Sequence, residues 1–313
     1  MATTDPALAA AALDALATCG VKFAILHREA DVASGIVESD VDVVVDRAAS
    51  AVVAACLPAF NRAGLHVVVL WPYDVGETIT LFLATTDASE GVQLDLLHDP
   101  RGIGRYGIRS TALIDNAVPG VRWPRPDPHD QLVYLIQKRW VKLQTGSLAD
   151  LNAEARAASP AQLHASAHRL LAHRGAEELL AFVETGESLA ARTPPALAGF
   201  VRRVLRLARP IGAWIEIQGS QAEQAAVLLA ELFGRFLPHK LATMHPSGRL
   251  QEAWWFGRRV APVKWRAGLV ASWAKKPPKL GADLVLQSDS TTMAVDVVAW
   301  LEKRVRQRLD IRP

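Results

Sequence analysis

Apolar residues recur at helical spacing over residues 7–19, and Gly20 marks the stop. A short apolar run at 21–26 predicts a strand, and residues 40–46 lead from acidic side chains into a β-branched run that predicts a second. Helical spacing returns over 48–63 and closes at Gly64, after which 65–70 and 78–84 read as further strands. At 91–98 the residues Val92, Leu94 and Leu96 alternate with Gln93, Asp95 and Leu97. Helix, strand, strand, helix and three more strands make a compact α/β or α+β unit of about a hundred residues.

The Pro-rich stretch 118–128 (VPGVRWPRPDP) reads as a boundary or an ordered linker. Strand patterns then disappear as far as residue 208. The spacing predicts a helix over 130–143, another opened by Ser159-Pro160-Ala161 with Ser159 as N-cap, and two more over 175–184 and 195–207. Strand logic resumes at 213–218, followed by the turn Gly219-Ser220 and a helix over 221–236. Residues 250–273 are basic and Trp-rich, 283–287 predict a strand, and 291–309 predict a closing amphipathic helix. There is no internal repeat.

Composition narrows the class. The chain has 313 residues, 50% of them hydrophobic, which is enough for a substantial core in two or more domains. A net charge of +3 is small and does not by itself argue for nucleic acid. Cys19 and Cys56 have neither a disulfide-framework nor a metal-ligand spacing and read as buried thiols, which suits a reducing cytoplasm. Residues 1–17 carry Asp5 and Asp14 with no basic lead, so they read as an ordinary helix and not a signal peptide. No uncharged apolar stretch reaches the length of a membrane span. The expected setting is cytoplasmic.

Candidate chemistry begins at Ser39-Asp40-Val41-Asp42. Side chains at i and i+2 of a strand project to the same side, so Asp40 and Asp42 share a face. Two carboxylates that close repel unless a cation or a proton intervenes. If the strand holding Asp95 lies beside them, the three carboxylates form an oxygen cage suited to Mg²⁺ or Mn²⁺. Such cages serve phosphoryl or nucleotidyl transfer, commonly with two metals about 3.5–4 Å apart.

With these residues in view, the chain resembles the minimal nucleotidyltransferases of the DNA polymerase β superfamily. The nearer resemblance is to nucleotidyltransferase-like proteins of bacterial polysaccharide and natural-product gene clusters. It covers about residues 18–145, from the strand around Phe23 to Arg28, through the loop 102–107, to the helix at 130–142. The resemblance implies that Asp40 and Asp42 bind both metals and that Asp95 binds the catalytic metal and orients or deprotonates the attacking hydroxyl. It implies a nucleoside triphosphate as substrate, and Ser39 as a phosphate ligand or turn cap. Many members carry Gly-Ser after the first strand, where this chain reads Leu26-His27-Arg28-Glu29. Either Arg28 replaces those donors with its guanidinium fork, or triphosphate binding is weakened. In the bland reading, Asp40 and Asp46 bracket a strand and Asp42 pairs with Arg28. Asp46 and Asp99 read as strand-end or turn residues, and His27 and His98 as ordinary polar residues. Arg101 and Arg105 are candidates for phosphate or for a solvated loop face.

Residues 213–229 have the layout of a phosphate loop: strand, glycine turn, helix. In that register Gln224 stands for the second glycine, Ala225 for the lysine and Ala226 for the Ser/Thr. With the ending 283–309, this part resembles a degenerate, truncated thymidylate-kinase-like domain; any strand–turn–helix unit is the competing reading. Trp254, Trp255, Trp265 and Trp273 interleave with Arg249, Arg258, Arg259, Lys264 and Arg266. Such a surface stacks bases or sugars, or forms a protein interface, unless the tryptophans are core.

The expectation is an α/β protein: a nucleotidyltransferase-like α+β domain at 1–125, a helical domain at 126–210 and a kinase-like remnant at 211–313. Its expected function is Mg²⁺-dependent nucleotidyl transfer from a nucleoside triphosphate to a small hydroxyl or phosphate acceptor in polysaccharide or specialised-metabolite biosynthesis. The alternative is a non-catalytic scaffold that binds a protein partner through Trp254, Trp255, Arg258 and Arg259.

Overall fold

The computed structural model describes residues 5–37, 40–72, 78–104, 106–141, 145–185, 213–234, 242–244, 269–273, 283–288 and 290–309. The first unit begins with α1 (Pro6–Thr18), capped by Asp5, whose carboxylate accepts from the N–H groups of Ala7 and Leu8. β1 (Phe23–Ile25), α2 (Glu29–Ala33), β2 (Val41–Val45), α3 (Ala49–Arg62), β3 (His66–Pro72), β4 (Ile79–Ala84) and β5 (Gly91–Leu97) follow. The five strands form one open mixed sheet in the order β1-β2-β5-β4-β3. β2 and β5 run parallel, while the other three pairs are antiparallel.

Strand alternation assigns the two faces of this sheet. Val41, Val43 and Val45 of β2 and Leu94 and Leu96 of β5 point into a core closed by α1 and α3. The opposite face receives Ala24, Val44 and Leu97, which pack with α4 (Ser110–Asp115) and a helical layer. That layer is α5 (Pro128–Val141), α6 (Thr145–Ala157), α7 (Pro160–Leu170) and α8 (His173–Thr185). Farther along, Val68, Phe82 and Ala84 pack with a third core from the C-terminal part.

The Pro-rich stretch is ordered. β6 (Val118–Pro119) and β7 (Pro124–Arg125) form a small hairpin. The buried carboxylate of Glu29 accepts from three backbone N–H groups of its turn: Val121 at 2.8 Å, Arg122 at 2.8 Å and Trp123 at 2.9 Å. Gly120 is required there, since a Cβ would lie 2.3 Å from the Trp123 carbonyl oxygen and 2.4 Å from Glu29 Oε2.

The C-terminal part holds β8 (Ala213–Gln218), α9 (Ala222–Gly234), β9 (Ala242–Met244), β10 (Leu269–Trp273), β11 (Leu284–Gln287) and α10 (Met293–Arg308). Its strands pair in parallel in the order β11-β8-β10-β9. α10 is tied back to the first unit: Glu302 accepts from Asn61 Nδ2 at 2.8 Å, His66 Nδ1 at 2.5 Å and Arg306 Nη2 at 2.5 Å. No helix among the described residues is long and apolar enough to cross a membrane.

Most predicted elements appear within one to three residues of their expected ends. Seven of the described elements were not predicted: α2, α4, α6, β6, β7, β9 and β10. Ser159 occupies the N-cap position of α7, but its side chain makes no capping hydrogen bond. Cys56 is fully buried and Cys19 half-buried. The helix expected at 195–207 and the residues Ser39, Arg105, Trp254, Trp255, Arg258 and Arg259 lie outside the described residues.

Glu29 yields a test of this scaffold. Burial works against its charge, but the three backbone donors prevail and hold its carboxyl below the ordinary glutamate range. A lowered folded value means its contribution is full above the unfolded-state value and fades as pH falls. Glu29→Ala is expected to cost about 2–4 kcal/mol near neutral pH, because three N–H groups lose their acceptor. The gap between wild type and variant in urea unfolding is expected to narrow as pH falls below the unfolded glutamate value of about 4.3.

Candidate active site

The parallel pairing of β2 with β5 sets Asp42 directly opposite Asp95. Asp40, two residues before Asp42, projects to the same side of the chain. One carboxylate oxygen from each of Asp40, Asp42 and Asp95 lies within 4.8 Å of the other two. The three residues expected to converge therefore do so, on the sheet face covered by the helical layer.

The environment of each carboxylate is different. Asp42 Oδ2 accepts from His27 Nε2 at 2.7 Å and from Lys138 Nζ at 2.5 Å. His27 follows β1, and Lys138 comes from α5, one turn after Tyr134, whose ring centroid lies 5.6 Å from the ammonium. Lys138 is almost fully buried, at 7% side-chain exposure. Burial alone would raise the Asp42 carboxyl; the hydrogen bond from His27 and the charge of Lys138 outweigh it and hold the group well below the ordinary range. Asp95 meets the opposite situation. Burial first, and then the negative charges of Asp42 and Asp40, push its carboxyl up to about 7. Gln93 Nε2 donates to Asp95 Oδ1 at 3.0 Å, and Thr80, its cross-strand partner on β4, adds a second hydrogen bond. Both oppose that rise without cancelling it.

The pairing of Asp42 and the place of His27 differ from expectation, while Asp46 and Asp99 are the strand-end and turn residues expected. Asp42 is paired by His27 and Lys138, and His27 is part of the site rather than an ordinary polar residue. Arg28 is exposed and adopts a left-handed backbone (φ 57°) at the start of α2. Asp46 is a strand-end residue whose carboxylate accepts from Arg47. Asp99 is a turn residue: its carboxylate accepts from the N–H groups of Ile103 and Gly104, and its own N–H donates to Ser110 Oγ. Lys138, Gln93 and Thr80 were not anticipated as members of the site. Lys138 falls one turn after Tyr134 on the buried side of α5, a placement that only the docking of that helix reveals.

The glycine turn after β8 is a different kind of place. It is three residues long, because α9 starts at Ala222. Gly219 has φ 115°, and a Cβ there would lie 2.3 Å from Ser288 Oγ. The backbone N–H of Gln221 donates to that same hydroxyl at 3.2 Å. Ser288 thus packs against the turn, and Ala225 and Ala226 are buried in the core.

No protein-family model matches this chain, and neither a curated protein nor a solved structure matches it.

Two substitutions read the electrostatics of the triad. Lys138→Met removes one of the two groups that answer the buried Asp42 charge and is expected to destabilise the protein by about 3–5 kcal/mol in metal-free buffer, measured by denaturant unfolding. For Asp95 the raised folded value means the folded chain holds more protons than the unfolded one between the ordinary aspartate value and about 7. Its contribution to stability therefore falls as pH rises through that window. Asp95→Asn is expected to gain stability relative to wild type from about pH 5 to about pH 8 in metal-free buffer. A pH-independent difference would show that the carboxylates do not interact.

Proposed function

We propose that this protein is a metal-dependent nucleotidyltransferase, moving a nucleoside monophosphate from a nucleoside triphosphate to a small hydroxyl or phosphate acceptor. The observation that carries the reading is the convergence of Asp40, Asp42 and Asp95 through the parallel β2–β5 pair. The donor set fits Mg²⁺ or Mn²⁺, which prefer carboxylate oxygens. When bound, such an ion stabilises negative charge on the transferring phosphoryl group and its leaving group.

The residues divide the work by their protonation. Asp40 and the ionised Asp42 supply the negative charge that holds the cation. Asp95, with its affinity for a proton near neutrality, is suited to take the proton of the acceptor hydroxyl. Lys138 neutralises Asp42 before any ligand arrives and keeps the carboxylate oriented. Arg28, next to His27 in sequence, stands where the resembled nucleotidyltransferases carry their Gly-Ser donors. In the same reading, the first unit is a nucleotidyltransferase-like domain, followed by a helical domain and a kinase-like remnant. Support for the remnant is the parallel order β11-β8-β10-β9, with the glycine turn at the carboxyl end of an inner strand, where open α/β sheets take ligands. Ser288, which follows β11 and accepts from the Gln221 N–H of that turn, supports the loss of phosphate binding there. The setting proposed is cytoplasmic synthesis of a polysaccharide or specialised metabolite.

One observation favours a second reading, a non-catalytic scaffold: Lys138 already supplies a positive charge to Asp42, as a metal would. Ligand binding separates the two. A triphosphate with Mg²⁺ or Mn²⁺ at about 100 times its Kd is expected to add about 2.7 kcal/mol to wild-type stability. Asp42→Ala is expected to abolish that gain, and pyrophosphate release with pooled acceptors is expected in wild type alone. Absence of any shift with all four triphosphates would favour the scaffold.

A further inference from the structure

A second group of metal-ligating side chains lies away from the carboxylate triad, on the hairpin of α7 and α8. His164 and His168 are one turn apart on α7, and His173 and Glu177 are one turn apart on α8. Residues at i and i+4 of a helix are surface neighbours, so each pair presents both its side chains on one side. Only residues 171 and 172 separate the two helices, which brings the pairs together. His168 Nε2 lies 3.1 Å from Glu177 Oε1, and His173 Nδ1 lies 3.9 Å from the same oxygen. The ring centroids of His164 and His168 are 4.4 Å apart, and those of His168 and His173 are 5.5 Å apart. One ligand atom from each of His164, His168 and Glu177 falls within 4.8 Å of the others.

We infer that His164, His168 and Glu177 form a binding site for a divalent transition metal of the zinc class, with His173 placed to complete it. The chemistry of the donors selects the metal. Imidazole nitrogens with one carboxylate suit Zn²⁺, Ni²⁺ or Cu²⁺, whereas Mg²⁺ and Ca²⁺ prefer all-oxygen shells. Two histidines one helical turn apart are a recurrent zinc pair because both reach one ion from one face. A tetrahedral ion with ligands at about 2.0–2.1 Å places them about 3.3 Å from each other, so the group must contract by about 1.5 Å at most. The side chains are free to do this: His173 is 84% exposed and Glu177 is 55% exposed. The bound ion would staple α8 to α7. α7 in turn anchors α5, since Arg169, next to His168, donates to the fully buried Asp130 at 2.5 Å. The site is thus mechanically close to the helix that carries Lys138, yet chemically separate from the triad.

The test is calorimetric titration of the 313-residue chain with Zn²⁺ in Mg²⁺-free buffer, alongside its thermal unfolding. Wild type is expected to take up zinc at this site and to unfold at a higher temperature with it. His164→Gln and His168→Gln are each expected to weaken that binding event by about 100-fold. Both variants are expected to keep wild-type helix content by circular dichroism, since His164 is exposed and His168 is at the protein surface. Asp42→Asn is expected to leave the event unchanged, so the outcome is independent of the proposed nucleotidyl transfer. Zinc binding whose affinity and stoichiometry are unchanged by both histidine substitutions, uptake lost only with Asp42→Asn, or no uptake at all would each overturn the site.

Discussion

Asp42 and Asp95 stand opposite one another because β2 and β5 run parallel and in register, and everything else about the site answers that placement. Like charges side by side on a covered sheet face, where the effective dielectric is far below that of water, repel strongly. The fold meets the repulsion in two ways at once. His27 and Lys138 converge on Asp42 and keep it ionised, while Asp95, left with the neutral partners Gln93 and Thr80, moves toward its protonated form. The pair ends with divergent proton affinities, the usual signature of carboxylates held ready for distinct roles.

That arrangement requires α5 to arrive in one place, because Lys138 can be buried only if its charge is met. Burying an ammonium without a partner costs several kcal/mol, so the position of α5 and the ionisation of Asp42 depend on each other. The helix is fixed at its other end by Asp130, whose carboxylate is fully buried and accepts from Arg169 of α7. His27 is fixed from the opposite side. It sits between β1, which pairs with β2, and Glu29, which is clamped by the turn of the β6–β7 hairpin. The polar anchors Glu29, Asp130 and Lys138 are all buried, and each meets a group distant in sequence, although the Oδ2 of Asp130 has no hydrogen-bond partner.

This explains which parts were readable in the sequence. The carboxylates were legible because strand alternation is a local rule: Asp40 and Asp42 share a face whatever the rest of the chain does. Their union with Asp95 needed one further fact, the pairing of two strands separated by α3, β3 and β4, and the hydrophobic alternation at 91–97 gave it a definite face. Lys138 was not legible as a ligand of Asp42, because nothing local distinguishes a buried lysine from a solvated one; only the docking of α5 does. The short helices α2 and α4 have too few residues for a periodic pattern, and α6 is rich in Ala and polar residues with little apolar stripe. The Pro-rich stretch read as a linker because its order comes from Glu29, some ninety residues earlier.

The same reasoning separates the two glycine- or acid-marked turns of the chain. Phosphate recognition by a glycine turn depends on backbone N–H groups that remain free to point at the ligand. After β8 the N–H of Gln221 is taken by Ser288, and a side-chain hydroxyl occupies the space beside Gly219. A lysine at position 225 would have to enter the core, since Ala225 is buried. What the C-terminal part contributes instead is support. Glu302 binds Asn61 and His66 of the first unit, and Ile215, Ile217 and Leu286 share a core with Val68 and Phe82 on the sheet that carries the triad. The C-terminal unit is thus tied to the acidic sheet by a common core and by Glu302, so its packing bears on β3 and β4, which lie beside β5 in the sheet that carries the triad.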